Sequence, residues 1–459
     1  MDDEIRNLLR RTADLAAGHL ESLADQPIRV TQEAQALRLT LGGPLAEAGQ
    51  DPWTVVEGLA AAAEPGLVRM GSGRYFGFVI GGALPAALAA DWLTSAWDQN
   101  AGLYVGGPAA SVVEDTVGAW TKELLGLPGS ASFALVTGCQ MAHTTCLATA
   151  RHALLANQGW DVEAKGLRQS PPVRILAGDR AHVTIQRSLR LLGLGRDTVE
   201  TVPTDPQGRI RVDAVVTALA ASTVPAILCV QAGEVNSGAF DDLEALAEAA
   251  QKAGAWLHVD GAFGLWAAAS ASHRHLVKGL ERADSWATDA HKVLNVPYDC
   301  GLAFTAHPRF HRAAMGVQAD YLVHDQEGVQ RDQVDWTPDF SRRARAFPVY
   351  AALRSLGRTG VAELVQRLCR HAQAFAAGLD RLPDCERLNE VAFNQVLFRF
   401  ADDARTDRIL ARVQAEGEAW MSGTSWGGRR AIRISVCNWR TSEADVARTM
   451  EAFRSAARA

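Results

Sequence analysis

Cysteine is scarce in this sequence: seven residues among 459, scattered, with no Cys-x-x-Cys pair. That excludes a disulfide scaffold and reads as free thiols in a reducing, cytoplasmic compartment. Positive charge is not in excess either. The 46 Lys and Arg against 52 Asp and Glu leave a formal charge of −6, so the clustered basic surface that nucleic acid or an anionic membrane requires is lacking. No apolar run of membrane length goes unbroken. The most apolar stretch, 76–93, is interrupted by Gly81, Gly82, Pro85 and Asp91, which suits a buried loop leading into a helix and not a span. Internal repeats and low-complexity linkers are missing as well. The first residues are acidic, unlike an export signal, and Ile5, Leu8, Leu9, Leu20 and Leu23 recur at helical spacing, the mark of an amphipathic helix packed on a partner surface. What is present is ordinary for a globular protein: 48% hydrophobic and 21% charged residues, with enough length for two or more domains.

From about residue 133 to 305, short apolar runs alternate with helix-like segments. This is the pattern of a mostly parallel sheet covered on both faces. The expected strands are 132–136, 173–177, 226–231, 255–259 and 302–305. One helix is well delimited: Asp241 or Asp242 caps its start and Gly254 closes it. Past residue 338 the pattern changes to long helices (344–356, 361–379), short strands (394–400, 431–436) and a last helix from Glu443, an α+β companion. Residues 1–71 read as helical without a core of their own.

The strongest chemical signal is His258-Val259-Asp260-Gly261-Ala262-Phe263-Gly264, a buried strand running into an aspartate and small residues. In an open α/β sheet, ligands sit beyond the carboxyl ends of the strands. A carboxylate walled by apolar neighbours there needs a cation or donor. About thirty residues on, Thr288-Asp289-Ala290-His291-Lys292 brings a lysine beside a histidine, suited to Schiff-base chemistry. An acid for a pyridinium nitrogen and a lysine for an aldehyde are what pyridoxal phosphate requires. Thr137-Gly138-Cys139-Gln140 lies between a strand and a helix, a backbone anion site suited to the cofactor phosphate. His182 follows another strand, where a ring stacks on the cofactor. Taken singly these residues have plainer readings: a surface lysine, a helix-capping aspartate, a loop histidine. It is the ordered set that points to the cofactor. Cys139 reads as a small packing residue.

With these motifs assembled, the chain resembles the group II pyridoxal-phosphate decarboxylases, the family of aromatic-amino-acid, glutamate and diaminobutyrate decarboxylases. The resemblance runs from Arg74-Tyr75-Phe76-Gly77-Phe78 and Leu84-Pro85-Ala86 through Gly107-Pro108-Ala109, Glu114, Gly138-Cys139, His182, Gly238-Ala239-Phe240-Asp241, Asp260 and His291-Lys292 to Ser341-Arg342-Arg343 and Ile432-Arg433-Ile434-Ser435. It implies an α/β fold of the type I PLP-dependent transferase (aspartate-aminotransferase-like) kind, with a mostly parallel central sheet. An N-terminal helical dimerisation arm (1–71), a large PLP-binding domain (72–337) and a C-terminal α+β small domain (338–459) are expected. It also implies a homodimer with the active site at the interface, an amino acid substrate (aromatic favoured by Tyr75 and Phe76), no metal, and no nucleic-acid or membrane partner. Lys292 is then the Schiff-base lysine, Asp260 the partner of the pyridine nitrogen, and His182 and Ala262 the groups on the two ring faces. Gly138, Cys139, Gln140, Asp289 and His291 surround the phosphate. Tyr75, Phe76, Gln333 and Arg433 line the substrate pocket. The bond cleaved at the substrate Cα is the one held perpendicular to the conjugated ring, so a pocket placing the carboxylate out of plane selects CO₂ loss.

Three positions depart from the family. Its catalytic loop usually carries a tyrosine that returns a proton after CO₂ leaves, and the matching stretch 332–336 puts Gln333 at that place. An amide has no useful acidity; either Tyr321 substitutes, or the reaction ends in oxidative decarboxylation to an aldehyde. His143 stands where asparagine or threonine is common, and Gly233-Glu234-Val235-Asn236 where hydroxyl residues are. An aminotransferase, a Cα–Cβ lyase and a catalytically decayed PLP-binding regulatory protein are the remaining alternatives.

Overall fold

The computed structural model describes residues 2–317 and 330–458. Seven strands form the central sheet: β1 (Ser132–Val136), β2 (Arg174–Gly178), β3 (Val199–Val202), β4 (Ala226–Gln231), β5 (Trp256–Asp260), β6 (Ser285–Asp289) and β7 (Gly301–Thr305). Their order is β1-β7-β6-β5-β4-β2-β3. β3, β2, β4, β5 and β6 run parallel, while β7 is antiparallel to both β6 and β1. Since β1 opposes β7, which opposes β6, the carboxyl ends of β1, β2, β4, β5 and β6 share one edge of the sheet. β1, β4, β5, β6 and β7 are buried along their whole length and β2 in its middle three residues, as expected for a sheet covered by helices on both faces.

The five expected strands are present, each within a residue of its expected limits. Two more were not legible. β3, Val-Glu-Thr-Val, is a half-exposed edge strand. β6, Ser-Trp-Ala-Thr-Asp, is fully buried although three of its five residues are polar; its polar groups serve the site, and that hides the strand from a hydrophobicity pattern.

The helix Leu243–Ala253 begins at Asp242, whose side chain accepts from Ala245 N–H, and ends at Gly254, matching its sequence signals. The long helical stretch Ala346–Leu379 is broken at Gly357, where φ is 62°, so two helices meet where the sequence suggests a gap. A second sheet is built from β8 (Cys385–Arg387), β9 (Gln395–Phe400), β10 (Ser422–Trp426) and β11 (Arg429–Ser435), in the order β10-β11-β9-β8. The chain closes with the helix Glu443–Arg458. At the other end, the helix Asp2–Ser22 and two further helices, Ala34–Leu41 and Pro52–Ala63, lie outside the core; the latter two bury no residue. Ile5, Leu9, Leu39, Leu59, Trp92 and Trp97 are exposed. No described helix is long and apolar enough to cross a membrane.

Candidate active site

The shared carboxyl edge of the sheet collects the sequence-derived residues. Asp260 ends β5 and Asp289 ends β6. The helix Cys139–Ala156 starts shortly after β1, and His182 follows β2. Gly301 opens β7 at this edge, and a Cβ there would come within 2.4 Å of the Gly138 carbonyl carbon, so only glycine lets the strand pass the start of the helix.

Lys292 Nζ lies 2.9 Å from Asp289 Oδ2. Burial opposes the ammonium, but the Asp289 carboxylate outweighs it and holds Lys292 above its ordinary pKa. Asp289 Oδ1 accepts the Cys139 N–H at 2.6 Å and lies 3.4 Å from His291 Nε2. His291 Nδ1 accepts the Cys300 N–H at 3.0 Å, which leaves its proton on Nε2, toward Asp289. Gly138, the N-cap of the helix, supplies no side chain of its own; beyond the Cys139 N–H that Asp289 takes, such a helix start suits an anion. Gln140 donates through Nε2 to Ser188 Oγ, while its buried Oε1 has no partner.

Asp260 Oδ1 accepts the Ala262 N–H at 3.1 Å, and Oδ2 faces His143 Nε2 at 3.4 Å. Burial alone would raise the Asp260 carboxyl. The His143 imidazole, His182 and the Ala262 N–H together outweigh it and hold the carboxyl below the usual carboxylate range. His182 caps the helix Val183–Leu191, its Nδ1 2.8 Å from Thr184 Oγ1. Burial lowers its pKa, and nearby Asp260 partly offsets this. The Cys139 thiol is pushed well up by burial and by Asp289, consistent with packing and not nucleophilic attack. Cys139, His143 and Asp260 offer three donor atoms within 4.8 Å of one another, a closeness that the contacts of His143 Nε2 with the other two already explain.

Several aromatic rings pair on segments near Lys292 and His291. Tyr75 stacks on Trp420 with ring centroids 5.1 Å apart, and Phe78, exposed, lies 5.3 Å from Trp420. Tyr298 sits 4.3 Å from the His291 ring; burial raises its phenol and the Lys292 ammonium pulls it back. Sequence reading gave no role to Phe78, although its motif was quoted, or to Tyr298, and it missed Trp420, because no local motif marks a residue brought in from a distant loop. Phe76 stands differently from its neighbour. It is fully buried and packs edge-on against Phe375 in the core, so the expectation of a pocket residue is replaced by a core role. Its inward direction follows from the backbone, whose N–H and C=O pair with Trp420 and Ser435.

Arg433 is close enough to lower the His182 pKa, but its guanidinium donates to Val235 O at 3.0 Å and Ser422 Oγ at 3.3 Å. Gln333, expected on an active-site loop, is instead buried in a short helix (Gln333–Asp335) and donates its amide to Ser111 Oγ at 3.1 Å. Buried side chains claim its stretch: Arg331 stacks between the Phe133 and Trp336 rings, and Arg342 pairs with Glu114 at 2.7 Å. Tyr321 lies outside the described residues. Glu234 closes its own turn, accepting from the N–H groups of Asn236 and Ser237.

A family model described as the pyridoxal-dependent decarboxylase conserved domain matches residues 49–401. The chain is 26% identical over 464 residues to an aromatic-L-amino-acid decarboxylase of Bacillus atrophaeus, covering 98% of this chain and 94% of that one. It is 29% identical over 390 residues to an L-2,4-diaminobutyrate decarboxylase of Rhizobium meliloti, with 82% and 76% covered. In fold it superposes on a solved structure of Oryza sativa TDC with PLP and tryptamine with a TM-score of 0.92 at 22% identity, covering 100% and 98% of the two chains.

Proposed function

The chain belongs to the pyridoxal-dependent decarboxylase family, and from that premise we propose that Lys292 is the cofactor-binding lysine and that the substrate is an aromatic L-amino acid. Membership makes the protein a PLP-dependent amino acid decarboxylase, a carboxy-lyase. The residues suit that cofactor. Gly138 leaves a cradle in which a Cβ would press to 3.2 Å from His291 Cε1, beside a helix start whose N-cap carries no side chain, fit for a phosphate. The buried carboxylate of Asp260 ends a strand and keeps both oxygens on donors. When bound, PLP supplies an electron sink for the pair released as a Cα bond breaks.

The single observation carrying the reading is that Lys292, Asp260, His182 and the helix start at Gly138 arrive from different strands at one edge of the sheet. Lys292 presents the amine that holds the cofactor aldehyde. Asp260 keeps a proton on the pyridine nitrogen, and His182 and Ala262 bound the two ring faces. The first turn of the helix, with Gly138, Cys139 and Gln140, holds the phosphate together with His291, and Asp289 orients Lys292. Tyr75, Trp420, Phe78 and Tyr298 offer a flat apolar wall for an aromatic side chain, with Arg433 behind His182. A homodimer with the exposed apolar residues of the N-terminal arm at its interface, the three-domain division at residues 71 and 337, and a cytoplasmic setting matching seven free thiols complete the reading.

Aldehyde formation is favoured by one observation: position 333 carries a glutamine whose amide is committed to Ser111. That reaction consumes O₂ and water and yields aldehyde, CO₂, ammonia and hydrogen peroxide.

Purified protein mixed with PLP is expected to develop the visible absorption of the lysine-bound cofactor and to release CO₂ from aromatic L-amino acids. Lys292→Ala abolishes the absorption and lowers CO₂ release about a thousandfold or more; a variant retaining both overturns the assignment. Amine as product supports simple decarboxylation, whereas aldehyde with peroxide supports the second reading. Keto acid without CO₂ defeats both.

A further inference from the structure

Behind Asp260 lies a row of buried polar groups that the reaction as derived does not use. His143 Nδ1 is 3.0 Å from His258 Nε2, and His258 Nδ1 is 2.9 Å from Ser285 Oγ. Trp256 Nε1 donates to the same Ser285 Oγ at 2.9 Å. His143, His258 and Ser285 are all fully buried, and Trp256 nearly so. The residues come from the helix Cys139–Ala156 and from the neighbouring strands β5 and β6, so packed secondary structure fixes the row.

Proton bookkeeping gives the row a direction. An indole N–H only donates, so Ser285 Oγ accepts from Trp256 and has its own proton to give to His258 Nδ1. A neutral His258 then carries its proton on Nε2 and donates to His143 Nδ1. A neutral His143 in turn carries its proton on Nε2, the atom facing Asp260 Oδ2 at 3.4 Å. With both imidazoles neutral, the reverse order turns the His143 Nε2 lone pair toward the Asp260 carboxylate, so the forward order is the one that gives an anionic Asp260 a donor. Burial beside His143 lowers the His258 pKa to about 3, in keeping with a neutral link.

Resting on the reading of this site as the PLP site, we propose that His143 and His258, anchored by Ser285 and Trp256, form a hydrogen-bond chain of fixed direction that positions Asp260 and keeps it anionic toward the cofactor ring nitrogen. His143 and His258 are positioning residues, acting on the cofactor through Asp260. A chain of this kind polarises along its length in a low-dielectric interior, so His258, one residue removed from Asp260, still affects the ring nitrogen.

The test reads the ring nitrogen itself. Apoprotein is loaded with PLP labelled with ¹⁵N in the ring, and the ¹⁵N resonance, the PLP affinity and the far-ultraviolet circular dichroism are measured for wild type, His143→Leu, His143→Asn, His258→Phe, Ser285→Ala and the double variant His143→Asn/His258→Phe. His143→Leu is expected to move the resonance toward the unprotonated position and to weaken PLP binding about tenfold. His258→Phe and Ser285→Ala move the resonance the same way by less. In the His143→Asn background, where the shorter side chain no longer reaches Asp260 and the chain is cut, adding His258→Phe changes the resonance no further. The relay is overturned if folded His143→Leu and Ser285→Ala both keep the wild-type resonance, or if the His258→Phe effect persists undiminished in the His143→Asn background. Wild type that binds no PLP overturns the reading of the site instead.

Discussion

At the scale of single residues, the site depends on which charge each buried group keeps. Asp289 outweighs the desolvation of Lys292 and holds it as an ammonium, although the amine reacts with an aldehyde only when neutral. Asp289→Asn preserves an acceptor for the Cys139 N–H and removes the charge. The pH midpoint for borohydride trapping of PLP on Lys292 then falls, by about one unit or more, and an unchanged midpoint contradicts the role given to Asp289. Lys292, Asp260, His182, Gly138 and Cys139 could be singled out because each sits beside a strand run or a helix start. Phe76 was misread because its motif says that a tyrosine and a phenylalanine are adjacent, not that one faces Trp420 and the other Phe375. Gln333 was misread for a related reason: sequence alignment gives its position along the chain, while its burial against Ser111 depends on a helix more than two hundred residues away.

At the scale of elements, loops between strands are pinned by carboxylates. Asp241 is buried and accepts the N–H of Ile210 at 2.7 Å and that of Gln231 at 2.6 Å, joining the end of β4 to the segment before the helix Val212–Ala220. Its neighbour Asp242, exposed, only caps the helix Leu243–Ala253. Asp241→Ala leaves two buried donors unpaired and is expected to cost about 2–5 kcal/mol, against about 1 kcal/mol for Asp242→Ala. Urea unfolding midpoints compare the two, and equal losses refute the distinction. Sequence pattern located the cap and the Gly254 stop of this helix. It could not rank the two adjacent aspartates, because burial separates them and burial belongs to the packed molecule. The strands β3, β6, β8 and β10 escaped the pattern for a similar reason: edge position or site-directed polarity interrupts their hydrophobic run.

At the scale of the whole molecule, two buried histidines tie stability to pH. His258 and His311 are each held to a pKa of about 3 by burial, and both ring nitrogens of each are engaged, those of His311 by Ser132 Oγ and Trp336 O. The unfolded chain takes up protons near pH 6.5 and the folded chain does not, so stability falls as pH drops below about 6.5. Together they cost about 3 kcal/mol between pH 7.5 and 5.5. Calorimetric unfolding at several pH values checks this, with His311→Gln flattening the slope and an unchanged slope counting against it. The exposed apolar residues of the arm and the helix Pro85–Trp97 give a second expectation. Sedimentation finds a dimer for the full chain, and removal of residues 1–71 weakens or abolishes it; a full-length monomer refutes the arrangement. By itself the sequence determined the fold class, the strand-and-helix alternation, and the residues proposed to carry the cofactor chemistry, because these are local patterns of apolar period, cap and strand end. Only the tertiary structure decided which side chains face one another: Tyr75 on Trp420, Gln333 on Ser111, and His143 on His258. Such contacts join segments far apart in the chain, and no local pattern encodes the direction in which a buried side chain points.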